Sequence, residues 1–202
     1  VPSVALPGAA LLVCFAGKFA ADQETKAMTD LRFPIGKAEM ARELTAEQRL
    51  ERIARIERTP DHLRAAVAGL DTGQLDTPYR PEGWTVRQVV HHLPDSHLNA
   101  YLRCKWALTE DEPLIKTYDE GLWAELPDSR TVPVEVSLVL LDSLHRRWVG
   151  LLRALSAADF QKALKHPDHG LITLDQILGL YAWHGDHHVA HITALRERMG
   201  WS

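Results

Sequence analysis

Cysteine is almost missing from this chain. Two residues, Cys14 and Cys104, are too few for a disulfide framework, which fits a reducing cytoplasm. Cys104 falls on an apolar helical face, where a thiol usually serves as a small core residue. An excess of charge of either sign is missing too: 23 Lys and Arg are interspersed with 27 Asp and Glu, for a net charge of −4. There is no basic stripe, so a nucleic-acid partner is disfavoured. No apolar run reaches the about 20 residues a membrane-crossing helix needs. The nearest, Val4 to Ala16, is interrupted by Pro7 and Gly8 and lacks the basic start of a secretory signal. A cytoplasmic protein without membrane association is therefore expected. Residues 1–27 are expected to lie outside the fold, as an extension preceding a single domain over 28–202. Strand alternation is also absent, which points to an all-α class.

What the chain does have is helix punctuation. Thr45 with Gln48, Thr85 with Gln88, and Thr173 with Gln176 each form a capping box, in which the threonine oxygen accepts from the helix and the glutamine reaches back. A further helix opens near Pro133 and carries Leu141, Leu144, Trp148, Leu151 and Leu155 at spacings of three and four. Four long amphipathic helices follow, over about 46–70, 85–109, 134–155 and 174–199. Pro60 should kink or divide the first, and Gly200 should stop the last. The expected architecture is a four-helix bundle with a long crossover, Glu110 to Val132, from the second helix to the third. Between the third and fourth, Phe160 to Gly170 reads as a short helix and a turn, with His166 and His169 on the surface.

Histidine is where the chemistry concentrates. Seven of the 11 histidines lie in two short windows, His91, His92 and His97 in one, and His184, His187, His188 and His191 in the other. On a helix, His184 and His188 sit one turn apart and share the apolar stripe of Ile177, Tyr181, Ile192, Leu195 and Met199. His187 and His191 fall on its flank, nearer solvent, and Asp186 points almost the opposite way. Two core-facing imidazoles need partners for their ring nitrogens, and a divalent metal is one such partner. Hydrogen bonds to neighbouring helices are the other. A third ligand from the first window would complete three protein ligands with an open position, the pattern of a catalytic site. On the wheel His97 lies nearer the buried centre than His92, and Pro94 breaks the regularity between them, so periodicity leaves both open.

Several stretches resemble a known family. They are Phe33-Pro34-Ile35-Gly36, Asp76 to Arg80 leading into Gly83 to Leu93, and Asp95-Ser96-His97. Leu180 to His184, His187 to Ile192 and the closing Met199-Gly200-Trp201-Ser202 complete the set. In order and separation these are similar to the YfiT-like branch of the DinB/YfiT superfamily, comprising bacillithiol transferases also labelled metal-dependent hydrolases. The resemblance covers about residues 31–202. It implies a four-helix bundle with one divalent ion, zinc or nickel foremost, held by His92, His184 and His188. Where alanine is expected after His-His-Leu, this chain has Pro94.

The resemblance further implies transfer of a low-molecular-weight thiol, bacillithiol or similar, to an electrophile in detoxification, by a homodimer. Arg87, Arg80, His97 and His191 are then the expected groups for binding that cosubstrate. A metal-dependent hydrolase is the alternative, although no His-Glu-x-x-His pattern places a glutamate beside the metal. A non-catalytic, metal-stabilised stress-response module is the third. Trp106, Trp148 and Trp183 are candidates to line a pocket.

Overall fold

A computed structural model describes residues 30–202; the expectations about residues 1–27 and Cys14 lie outside the described residues. The long helices are α1 (Ala46–Val67), α3 (Val86–Thr109), α6 (Val134–Arg153) and α7 (Leu174–Met199). Short helices α2 (Thr72–Leu75), α4 (Glu120–Ala124) and α5 (Pro127–Thr131) lie in the connections. Each expected capping box forms, with the threonine oxygen accepting from Gln48, Gln88 or Gln176. Gly200 ends α7 in the left-handed conformation, φ 65°, which glycine adopts without strain. Pro60 does not divide α1, and α3 continues through Pro94.

One element departs from expectation. The link between α6 and α7 holds a 3-10 turn (Asp159–Gln161) and then a two-stranded antiparallel hairpin, β1 (Ala163–His166) with β2 (Gly170–Thr173). Four residues per strand are too few for a period-two pattern to stand out. The hairpin forms because Leu164 and Ile172 both face the core, while Gly170, φ 70°, supplies the turn. The long connection between α3 and α6 is not bare loop either, since α4 and α5 pack against α3.

Helix α1 packs on α6 and α7, and α3 packs on the same two, so the four close a ring in which α1 and α3 lie diagonally. The core has two apolar parts. Trp148, Ile56, Tyr181 and Leu178 belong to one; Leu63, Val86, Leu93 and Ile192 belong to the other. Full burial of each such side chain contributes about 1.5–3 kcal/mol. Along α3 and α7 the two parts are separated by the histidine windows, so a polar layer crosses the middle of the bundle.

At that level α1 and α7 come very close. A Cβ on Gly185 would lie 2.5 Å from Thr59 Oγ1 and 2.7 Å from Cγ2, and Thr59 is fully buried. Threonine is short and branched and cannot swing aside. Gly185→Ala is therefore expected to destabilise the bundle by about 1–3 kcal/mol in urea unfolding, the usual cost of overpacking.

Candidate metal centre

Helix α7 carries His184 and His188 one turn apart, and α3 carries His92 on the facing side. His184 Nε2 lies 3.4 Å from His92 Nε2 and 3.2 Å from His188 Nε2. One ligand atom from each of the three lies within 4.8 Å of the others. Two imidazole nitrogens bound to one tetrahedral ion at about 2.0–2.1 Å stand about 3.3 Å apart, so these separations fit a shared divalent cation. Burial keeps the rings neutral, as ligation requires: it lowers His92 to about 4, and burial with mutual repulsion holds His184 and His188 well below the ordinary histidine value.

The triad lies on the wall of a cavity of about 740 Å³. Trp84 and Trp183 flank it, and Tyr79 stacks on His191 at 4.0 Å. The crossover brings Tyr118, Asp119 and Glu120 to the same cavity, and the turn before α3 brings Glu82. Burial pushes the Tyr118 phenol up to about 12, so it remains a donor at neutral pH. Arg32 and Arg80 are the arginines of the lining; Arg32 pairs with Asp30, whereas the Arg80 guanidinium, lying over the Tyr79 ring, donates to the Tyr79 hydroxyl and the Pro81 carbonyl and pairs with no carboxylate among the described residues.

Several expected roles change. His187 and His191 are buried, not near solvent, because the segment 30–44 lies along α7. His191 Nε2 donates to the Arg32 carbonyl at 3.2 Å, and Trp183, which stacks on His187, donates to the Gly36 carbonyl. A helical wheel cannot see that cover. Asp186 does point away, into an ion pair with Arg55 of α1. Arg87 is not in the cavity lining: Asp76 binds its Nε at 2.7 Å. His91 is bound to Ser137 and the Val132 carbonyl. His97 is wholly enclosed, with both nitrogens taken by other histidines, and does not line the cavity. Trp148 is core and Trp106 is exposed, which leaves Trp183 as the only one of the three expected tryptophans at the cavity. Cys104 is buried, its thiol pushed up to about 12.

Sequence reasoning passed over His145, a polar residue amid the apolar stripe of the third helix, which was the available signal. It also passed over Tyr118, Asp119 and Glu120, for which loop sequence offers no periodicity.

Burial of so many imidazoles has a pH consequence. His92 and His145 are both held near 4 in the fold, against an ordinary value of 6.5. Below pH 6.5 the unfolded chain therefore binds protons that the native chain refuses. Stability of the metal-free protein is expected to be level above pH 7 and to fall as pH drops from 6.5 towards 4, by about 4 kcal/mol at pH 5 from those two residues. Urea titrations across that range check the slope; stability that rose on acidification would contradict it.

A family model described as the DinB superfamily matches residues 55–192. A Bacillus cereus protein provisionally named a metal-dependent hydrolase is 57% identical over 174 residues, 86% of this chain and 100% of that protein. A Bacillus mycoides protein with the same provisional name is 56% identical over the same shares. Among solved structures, YfiT from Bacillus subtilis is 51% identical, with a TM-score of 0.83 over 85% of this chain and 99% of its own. It is described, again provisionally, as a metal-dependent hydrolase with an unusual four-helix bundle topology. The four-helix bundle protein TT2238, 21% identical with a TM-score of 0.51 over 72% of this chain and 98% of its own, shares the fold.

Proposed function

The chain belongs to the DinB superfamily, and from that membership and the site it carries we propose that it is a metal-dependent hydrolase, with His92, His184 and His188 holding one divalent transition ion. The observation that carries this reading is the convergence of three neutral imidazoles on the wall of a cavity of about 740 Å³, with no fourth side chain completing the set among the described residues. Bound there, a divalent cation supplies Lewis acidity and brings proton loss from a water molecule into the neutral range. The chain's own groups do the rest. Asp119, Glu120 and Glu82 supply carboxylates to receive that proton, a role no residue beside the histidines on α7 could fill. Tyr118 donates a hydrogen bond to the substrate, and the Arg80 guanidinium holds negative charge on it. The two tryptophans narrow the approach and limit bulk water.

A second reading, transfer of a small thiol such as bacillithiol to an electrophile, is favoured by one observation. The cavity has room for more than water and carries Arg80, which pairs with no carboxylate among the described residues and suits an anionic cosubstrate. The same Lewis acidity would serve a thiol, and buried Cys104 plays no part.

The experiment begins with metal content by plasma mass spectrometry on the purified full chain. The loaded protein is then assayed against ester and amide substrates, with and without bacillithiol and a generic electrophile. Metal-dependent hydrolysis without added thiol supports the first reading. Conjugation that requires thiol, with no hydrolysis, replaces it with the second. Absence of bound metal, even after reconstitution with zinc or nickel, defeats both.

A further inference from the structure

Within α1, Ile56 lies four residues before Pro60. Proline has no N–H, so the Ile56 carbonyl lacks the donor that the helix would otherwise provide. His145 of α6 supplies one, with Nδ1 2.6 Å from that oxygen. A carbonyl can only accept, so the proton of the neutral His145 ring is on Nδ1 and its Nε2 is an acceptor. His97 Nδ1 lies 2.8 Å from His145 Nε2 and must therefore be the donor, which leaves His97 Nε2 as an acceptor. His184 Nδ1 lies 3.1 Å from His97 Nε2 and donates to it in turn. The remaining nitrogen, His184 Nε2, is then unprotonated, and it is the atom facing His92 Nε2 and His188 Nε2.

We propose that His145 and His97 are positioning residues that, oriented by the Ile56 carbonyl, lock His184 in the tautomer and ring orientation of a metal ligand. The device deepens the metal-centre reading and rests on it for its purpose. It needs no change of charge, because each ring keeps one proton and the direction of the chain is set by a backbone oxygen. The hydrogen-bonded His97 and His145 rings are close to coplanar, 17° apart with centroids 4.8 Å from each other, and both are buried against Trp148, so neither ring can flip without disturbing the core. His188 has no such support: its Nδ1 is buried without a hydrogen-bond partner among the described residues. The organisation of the site is thus expected to depend on His184. Partners that fix a ligating histidine through its second nitrogen are a general feature of metal sites.

The test starts with the metal-free, 15N-labelled full chain, whose histidine tautomers are read from two-bond 1H–15N correlations. His145, His97 and His184 are all expected in the Nδ1–H form; an Nε2–H signature at His97 or His184 overturns the proposal. Zinc(II) affinity, measured by competition with a chelator, should then weaken about 10- to 100-fold in His145→Leu, and His184 should lose its single tautomer. His145→Gln, whose amide can donate to Ile56 and whose carbonyl can accept from His97, should stay within about threefold of the parent affinity. An unchanged affinity in His145→Leu, or an equal loss in both variants, overturns it. If the leucine variant does not fold, the parent spectra and the glutamine variant decide. Correct tautomers in a parent that binds no zinc would overturn the metal-centre reading and leave the tautomer assignment standing.

Discussion

His188→Ala is expected to take the protein from about one divalent ion per chain to none. Two imidazoles would remain, His92 and His184, and a pair of neutral ligands does not hold a transition ion against buffer and chelator as three convergent ones do. Activity should fall with the metal. Lewis-acid stabilisation of several kcal/mol corresponds to a rate loss on the order of a thousandfold. The fold should survive, because His188 lies at the cavity wall and, among the described residues, its Nδ1 is unpartnered and its removal takes no hydrogen bond from a neighbouring helix. Plasma mass spectrometry beside circular dichroism separates the two effects. A variant that keeps its metal would remove His188 from the site, and one that unfolds would assign it a structural role.

Asp175→Ala is expected to cost about 3–5 kcal/mol of stability, the usual penalty for removing one partner of a buried ion pair. Asp175 is completely enclosed in the first turn of α7. It accepts from Arg49 Nε at 2.8 Å and Nη2 at 2.6 Å, from the Leu44 amide at 3.0 Å and from Gln161 at 2.9 Å. One carboxylate thus ties the segment before α1, α1 itself and the 3-10 turn to the start of α7. Its loss leaves the Arg49 guanidinium, which is nearly buried and packed over Phe160, without its counter-charge. Asp175→Asn keeps an acceptor but not the charge and should fall between the parent and the alanine variant. Urea unfolding at pH 7 measures both; a loss under about 1 kcal/mol for alanine would mean that water reaches Arg49 and replaces the carboxylate.

Much of the fold could be read from residue types because helix signals are local. Thr45, Thr85 and Thr173 with their glutamines mark three helix starts at the observed residues, and Gly200 marks the last stop. The hairpin was not legible, since Leu164 and Ile172 acquire a common face only once the strands pair. At the site, the wheel placed His97 deepest and family likeness placed His92 among the ligands. In the structure His97 is fully enclosed, and the group that meets at the cavity wall contains His92. Burial and membership of the triad were distinct properties that a single wheel had merged: His97 meets the far nitrogen of His184, 3.1 Å away, and not the point that the three ligands share.

Local chemistry, written along the chain, specified four helices, their caps and two histidine windows, because hydrogen bonds and side-chain periodicity act over a few residues. Everything that depends on separate segments meeting had to wait for packing. The crossover's Tyr118, Asp119 and Glu120 reach the cavity only by folding back on α3, and segment 30–44 buries His187 and His191 by lying on α7. The proton order from Ile56 through His145 and His97 to His184 joins all four long helices at one level of the bundle. No spacing within a helix encodes such an order, because it is set by which nitrogen meets which oxygen once the helices are docked.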